Sequence, residues 1–169
     1  SDMDVVNDNG SLVEDSAELG VRSRVMLREE LCVIARAGHP LTTHERVRES
    51  DLVQFPWLFP MVGASHRHVL EHYFAAAGVQ PPAAKIETTS VQMIKSVVQQ
   101  GNYIGVLPLH VMESEIADGR LIRLPVRSGA LRRTIAIHHR DSHPLSAAAR
   151  ALMRAIEVIC ARVPPPSVD

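Results

Sequence analysis

The stretch Lys85–Val111 constrains the fold of this chain most strongly, because it contains a complete series of alternating elements. Its sequence is KIETTSVQMIKSVVQQGNYIGVLPLHV. Thr89, with Gln92 three residues later, predicts a capping box at the start of a helix, and Gly101 ends that helix. The flanking residues are β-prone, and Pro108 begins a further helix. Such a unit brings a helix N-terminus to the ends of two strands, which predicts one wall of a small-molecule cleft.

The sequence before this stretch also alternates between β-prone and helix-prone segments. Leu31–Ala35 is almost entirely apolar, which is typical of a strand covered on both faces. Trp57–Met61 predicts a further strand, and the helix after it has apolar residues at helical spacing and stops at Gly78. Residues 11–28 carry only a weak, mixed pattern, so no element is predicted there.

The two ends of the chain continue the same alternation. Asp4–Val6 predicts a short strand, Arg132–His139 predicts another, and Ser146 opens a final helix with a continuous apolar stripe. Strands that alternate with helices favour an α/β fold with mostly parallel sheets.

The composition is that of an ordinary globular domain. The chain has 169 residues, of which 46% are hydrophobic and 22% charged, with a net charge of −1. Without an excess of positive charge, nothing favours nucleic-acid contact by this chain itself. Cys32 and Cys160 are too few for a disulfide framework or a zinc site, so reduced thiols are expected. The first ten residues lack the layout of a signal peptide, so a cytoplasmic location is expected, with no membrane association.

The sequence gives little support for catalysis or for a bound cofactor. His68 and His72 share a helix face, as metal ligands can, but no neighbouring residue completes a recognised metal pattern, and a solvated polar face is the alternative. Gly101–Gly105 follows a helix and precedes a strand, which is the wrong order for a phosphate loop. No nucleophile elbow occurs. We therefore expect neither enzyme activity, a cofactor nor a metal.

Two polar segments, each lying where a predicted strand ends and a helix begins, are the best candidates for ligand contact. Backbone N–H groups, hydroxyls and the helix dipole favour a carboxylate or hydroxyl ligand there. The alternative interpretation is that Ser65 and Thr89 merely cap their helices. The two roles are compatible, because a capped terminus still has spare donors. The segments consist of Gly63, Ala64, Ser65 and His66, and of Thr88 and Thr89.

Several motifs then occur in one order along the chain. They are LCVIARAGHPL at Leu31–Leu41, the segment Asp51–Trp57, Glu87–Ser90, Gly101–Pro108 with the pattern G-x-x-I-G-V-L-P, Ala117–Leu124, and RDSHPLSAAARALM at Arg140–Met153. In this combination the sequence resembles the effector-binding domain of LysR-type transcriptional regulators, over about residues 3–162. The HPL turn together with the G-x-x-I-G-V-L-P element carries most of the likeness.

The resemblance implies a two-lobed type II periplasmic-binding-protein-like fold. A small-molecule effector, such as an organic acid, an aromatic compound or a sugar, would bind between the lobes and shift a homodimer or tetramer. Effector contacts would come from Asp8 and Asn9 after the first strand, from Gly63–His66, and from Thr88 and Thr89. Residues 1–41 and 131–169 would form part of the first lobe with the hinge crossings, and residues 42–130 the second lobe.

The sequence also departs from the family pattern. The N-terminal winged helix-turn-helix of the family is absent from it, so DNA contact is expected only through such a domain and not through this chain. The opening part of the first lobe is also absent, which implies an incomplete lobe. Tyr103 stands where the family commonly has glycine. A solute-binding protein of a transport system and an enzyme on the same fold are the alternative functions.

Overall fold

The computed structural model describes residues 5–6, 20–127, 129, 131–140 and 144–163, and these residues form two compact units. The first unit takes its residues from the chain up to 29 and from 132 onwards, and the second is built from residues 30–131. Residues 31–41 belong to the second unit. The reason is burial, since Leu31–Ala35 lie in the core of the second unit. The correspondence of these units to the family's lobes stays a prediction.

The elements of the described residues follow the predicted alternation of strands and helices. No helix in the described part of the chain combines the length and apolar character needed to cross a bilayer. The strands are β1 (Val5–Val6), β2 (Val21–Arg36), β3 (Trp57–Phe59), β4 (Ala84–Glu87), β5 (Gly105–Pro108), β6 (Leu121–Arg123) and β7 (Arg132–Arg140). The helices are α1 (Glu49–Leu52), α2 (Ser65–Ala76), α3 (Val91–Gln100), α4 (Glu113–Ala117) and α5 (Ala147–Cys160), with 3-10 turns at Pro40–Thr43 and Leu109–Val111.

The first unit contains a strand segment that the sequence pattern did not reveal. Strand β2 begins at Val21, inside the stretch 11–28 that carried no clear pattern, and continues beyond it to Arg36. Its first half lies beside β7, which in turn pairs antiparallel with β1. Glu29, buried in this half, forms an ion pair with Arg133 of β7. Pairing with a strand more than 100 residues away stabilises this segment, and that pairing leaves no mark on the local sequence.

Helix α5 starts where the sequence predicted. The hydroxyl of Ser146 accepts a hydrogen bond from the amide of Ala149 at 3.1 Å, which is the expected N-cap interaction. Its apolar stripe, however, is not part of a packed core, because no residue of α5 is buried and Leu152 and Ile159 are largely exposed.

The strands of the second unit are parallel only where helices connect them. Strands β3 and β4 pair in parallel. Ile104, just before β5, also pairs in parallel with Trp57, and its carbonyl accepts a hydrogen bond from the amide of Leu58 at 2.9 Å. By contrast, β5 and β6 both pair antiparallel with β2, meeting at Ile34. The prediction of mostly parallel sheets is therefore wrong for β2, because helix crossovers impose parallel direction only on the strands they connect.

The core of the second unit confirms that Leu31–Ala35 is covered on both faces. Leu31, Val33 and Ala35 pack in one apolar cluster with Trp57, while Cys32 and Ile34 pack in a second cluster. This alternation follows from the two-residue period of a strand. Burial also raises the pKa of the Cys32 thiol to about 11, which agrees with the expected inert, reduced cysteine.

Candidate functional site

Two of the predicted ligand segments lie at one edge of the second unit. Strands β3 and β4 are parallel neighbours, with Phe59 opposite Glu87. The amide of Thr88 then donates a hydrogen bond to the carbonyl of Phe59 at 3.0 Å. Because both strands run in the same direction, the loop from β3 to α2 and the turn from β4 to α3 leave the sheet side by side. Gly63–His66 and Thr88–Thr89 are therefore brought to a common edge.

The loop between β3 and α2 is a tight turn that moves the helix start by one residue. The carbonyl of Met61 accepts a hydrogen bond from the amide of Ala64 at 3.1 Å, and Gly63 has a φ of 85°, a conformation that glycine adopts without strain. Ala64 occupies the N-cap position, and Ser65 is the first helical residue. The prediction that Ser65 caps this helix is therefore wrong, and α2 begins without a side-chain cap.

The turn between β4 and α3 also moves the helix start by one residue, but in the opposite direction, because the N-cap is Ser90 and not the predicted Thr89. The hydroxyl of Thr88, which is buried, accepts a hydrogen bond from the amide of Ser90 at 3.1 Å. Ser90 in turn is the N-cap, since its hydroxyl accepts from the amide of Met93 at 3.3 Å. The predicted capping box of Thr89 with Gln92 is wrong, because the turn formed at Thr88 delays the helix by one residue. Thr89 is left exposed at the edge.

Arg67, which the sequence did not single out, connects residues that flank the two segments. Its Nη1 atom donates to the carbonyl of Pro60 at 2.8 Å and to Glu87 at 3.0 Å, and its Nε atom donates to Glu71 at 2.8 Å. The guanidinium also lies 5.3 Å from the centre of the Phe59 ring. Hydrogen bonds to Glu71 and then to Glu87 raise the pKa of Arg67. The spacing of Arg67 and Glu71 is a recognisable i,i+4 pair, but the contact with Glu87 has no local signal.

Apolar side chains also surround this edge. Met61 and Val62 in the loop after β3, and Met93 in the first turn of α3, are large hydrophobic residues that are exposed. The edge therefore combines hydroxyl and amide groups with apolar surface, which is the mixture found in small-molecule sites.

The remaining candidate residues are Asp8 and Asn9 and the two histidines of α2. Asp8 and Asn9 lie outside the described residues. His68 and His72 are exposed on α2, and Nδ1 of His68 lies 3.7 Å from Glu71. Among the described residues there is no cluster of three or more potential metal ligands from His, Cys, Asp and Glu.

A separate pocket of about 330 Å³ lies elsewhere in the second unit. No residue of the two predicted ligand segments lines it. It is lined by Glu30, Leu31, Cys32, Val33, Arg123, Leu124, Pro125, Val126, Arg127 and Leu131.

The HPL turn and the G-x-x-I-G-V-L-P element contact each other, which gives both a structural role. His39 is buried against Phe55, with ring centres 4.5 Å apart. Its Nδ1 atom accepts from the amide of Leu41 at 3.1 Å, so Nε2 carries the proton and faces the carbonyl of Asn102 at 3.4 Å. Arg36 donates to the side chain of Asn102 at 2.9 Å. Burial lowers the pKa of His39, which favours the neutral form of the ring.

Comparison with protein families gives one match that covers most of the chain. The profile of the LysR substrate binding domain matches residues 8–159. The transcriptional regulator GalR of Pseudomonas putida is 32% identical over 134 residues, which are 79% of this chain and 34% of that protein. The regulator CbbR of Xanthobacter flavus is 32% identical over 127 residues, 74% of this chain and 38% of that protein. The chain thus spans about a third of the length of these curated relatives.

Solved structures are similar over almost the whole chain. The CcmR regulatory domain of Synechocystis PCC6803, in complex with 2-PG, has a TM-score of 0.75 at 21% identity, covering 95% of this chain and 74% of that one. The effector binding domain of QuiR, in complex with shikimate, has a TM-score of 0.68 at 18% identity, covering 84% and 66%.

Proposed function

This chain belongs to the family of LysR substrate binding domains, and from this premise we propose that it senses a small-molecule effector for a LysR-type transcription regulator. Its fold is the α/β type II periplasmic-binding-protein-like fold of LysR regulatory domains, which confirms the fold class expected from the sequence. The match of the family profile to residues 8–159 is the observation that carries the proposal. A transport solute-binding protein is not favoured, because the curated relatives are named as transcriptional regulators.

We propose that the effector contacts the edge formed by the ends of β3 and β4. The parallel pairing of these strands supports this assignment, because it places Gly63–His66 beside Thr88–Thr89. The uncapped start of α2 offers a favourable dipole to an anionic or hydroxyl group. Thr89 is exposed and supplies a hydroxyl. Asp8 and Asn9 complete the proposed set of contacts on the strength of the family resemblance alone.

The effector is proposed to be a small organic molecule with both polar and apolar parts. The exposed Met61, Val62 and Met93 beside the polar loops support an apolar face. The CcmR regulatory domain was solved with 2-PG and the QuiR domain with shikimate, which supports organic acids as the first class to examine. Aromatic compounds and sugars remain the other proposed classes.

The activity of the whole protein is proposed from its relatives. Because these are named as HTH-type regulators, we propose that DNA is contacted by a winged helix-turn-helix domain of the whole protein and not by this chain. We further propose a homodimer or tetramer, a cytoplasmic location and the absence of enzyme activity. In this arrangement, effector binding shifts the oligomer and so the position of the DNA-binding domains.

Substitutions at the edge test the proposed contacts. Ser65→Ala and Thr89→Val are expected to weaken effector binding by about two- to tenfold each, the range for one neutral hydrogen bond. Calorimetric titration with compounds selected by thermal shift from organic acids, aromatics and sugars measures this. Ser96→Ala and Thr43→Val, exposed residues of the same types elsewhere in the second unit, are the matched controls.

Two different results would show whether the proposed contacts or the proposed function is wrong. If Ser65→Ala and Thr89→Val fold normally and keep wild-type affinity, the proposed contacts are wrong. If the folded wild-type chain responds to no compound of these classes, sensing of an effector by this domain loses its support.

A further inference from the structure

We propose that Arg67 is a positioning residue that holds the loop after β3 against the end of β4, and so sets the spacing of the two halves of the effector site. This inference rests on the proposed function, because it assigns a role within the same site. Arg67 itself does not contact the effector in this proposal. It acts through Gly63–His66 and Thr88–Thr89.

The contacts of Arg67 add side-chain bonds to the backbone pairing that already joins β3 and β4. Its Nη1 atom bonds at once to the carbonyl of Pro60, at the start of the loop, and to Glu87, the last residue of β4. Its Nε atom bonds to Glu71, one turn further along α2. A guanidinium can make these bonds in different directions because its donors are fixed in a planar fork. The helix, the loop and the neighbouring strand are therefore connected through one side chain.

The charge balance of this cluster excludes Arg67 as the anion-binding group. The Arg67 side chain is only 20% exposed and forms ion pairs with both Glu71 and Glu87. Two carboxylates against one cation leave an excess negative charge, so a carboxylate of the effector gains little by approaching the cluster. Recognition at this edge then depends on amides and hydroxyls whose positions must be accurate, and Arg67 supplies that accuracy.

The substitution Arg67→Lys tests the inference, because lysine keeps the charge and loses the fork. In the effector-free chain, NMR order parameters of the amides of Gly63 and Ala64 are expected to fall from about 0.85 to below about 0.6. The urea midpoint of unfolding should change little. Glu87→Gln, which weakens only the arm to β4, should give a smaller fall. Arg120→Lys is the matched control, since Arg120 pairs with Asp118 away from this edge.

A binding measurement separates this inference from the proposed function. Shikimate and 2-PG are the probes, and Arg67→Lys is expected to weaken the binding of a responding probe about tenfold, as when one hydrogen bond is misplaced. Unchanged order parameters at Gly63 and Ala64 in Arg67→Lys would overturn the inference. So would a fall that is matched by Arg120→Lys, or by a parallel loss of global stability. Failure of the wild-type chain to bind either probe would count against organic acids as the effector class of the proposed function, while the order parameters still decide the role of Arg67.

Discussion

Replacing Gly105 by alanine tests how closely α3 packs against β5. A methyl group added at Gly105 would lie 2.9 Å from Cγ2 of Ile94 and 3.2 Å from Cγ2 of Val98. Both side chains are buried, at 3% and 0% exposure. Both are β-branched, and such residues have one strongly preferred rotamer in a helix. Neither methyl group can turn away, so the helix itself has to move outward by several tenths of an ångström.

The magnitude follows from two opposing terms. Overpacking of this kind costs about 1–3 kcal/mol. Alanine recovers about 0.4–1 kcal/mol by restricting the unfolded chain, because Gly105 is not among the glycines with positive φ and so alanine fits its backbone. The free energy of unfolding should therefore fall by about 1–2 kcal/mol.

Urea denaturation followed by tryptophan fluorescence of Trp57 measures this change. The double variant with Ile94→Ala provides the diagnostic comparison. Ile94→Ala alone should cost about 2–5 kcal/mol, but it also removes the nearer of the two atoms that the new methyl group meets. The two substitutions should then cost at least about 1 kcal/mol less together than the sum of their separate effects. Wild-type stability in Gly105→Ala, or simple additivity in the double variant, would refute the packing argument.

Two further predictions concern helix capping and pH. Ser90→Ala should lower the free energy of unfolding by about 1 kcal/mol through loss of the N-cap, whereas Thr89→Ala should change it by less than about 0.5 kcal/mol; equal effects in urea denaturation would contradict the observed cap. Burial lowers the pKa of His39 below its usual 6.5. The contribution of the neutral His39 ring to the free energy of unfolding is therefore complete above pH 6.5 and is lost as the pH falls towards the lowered pKa. The free energy of unfolding, measured between about pH 7 and pH 5, should fall less steeply in His39→Asn than in wild type, because asparagine does not titrate. Asparagine can still accept the hydrogen bond from the amide of Leu41, so the turn is preserved. The exposed His44→Asn should follow wild type, and identical slopes for all three proteins would disprove the role of His39.

Features that depend on a few neighbouring residues were predicted correctly. The apolar run Leu31–Ala35 is a buried strand, Ser146 caps the last helix, and Gly78 has a φ of 68° immediately after α2. Each follows from local chemistry: strand periodicity, a hydroxyl acceptor placed three residues before an amide, and a residue without Cβ. The order of the motifs also identified the family, which the profile match over residues 8–159 confirms.

The starts of α2 and α3 each lie one residue from the predicted position, because the path of the preceding loop also decides which residue caps a helix. Ser65 and Thr89 both have the right chemistry for an N-cap, yet each lies next to a turn that moves the cap. Ala64 takes the cap position after the turn at Gly63, and Ser90 takes it after the turn at Thr88. Neighbouring residues of similar capping ability cannot be ranked until the path of the preceding loop is known.

What the sequence by itself determined about this protein is therefore the set of elements, their order and the family to which they belong. Only the tertiary structure decided that β2 extends back to Val21, that β5 and β6 run antiparallel to it, and that Arg67 joins the loop after β3 to the end of β4. The bond from Arg67 to Glu87 spans 20 positions and that from His39 to Asn102 spans 63. Periodicity and capping act over three or four residues, whereas strand direction and these long-range contacts depend on which surfaces meet when the chain closes.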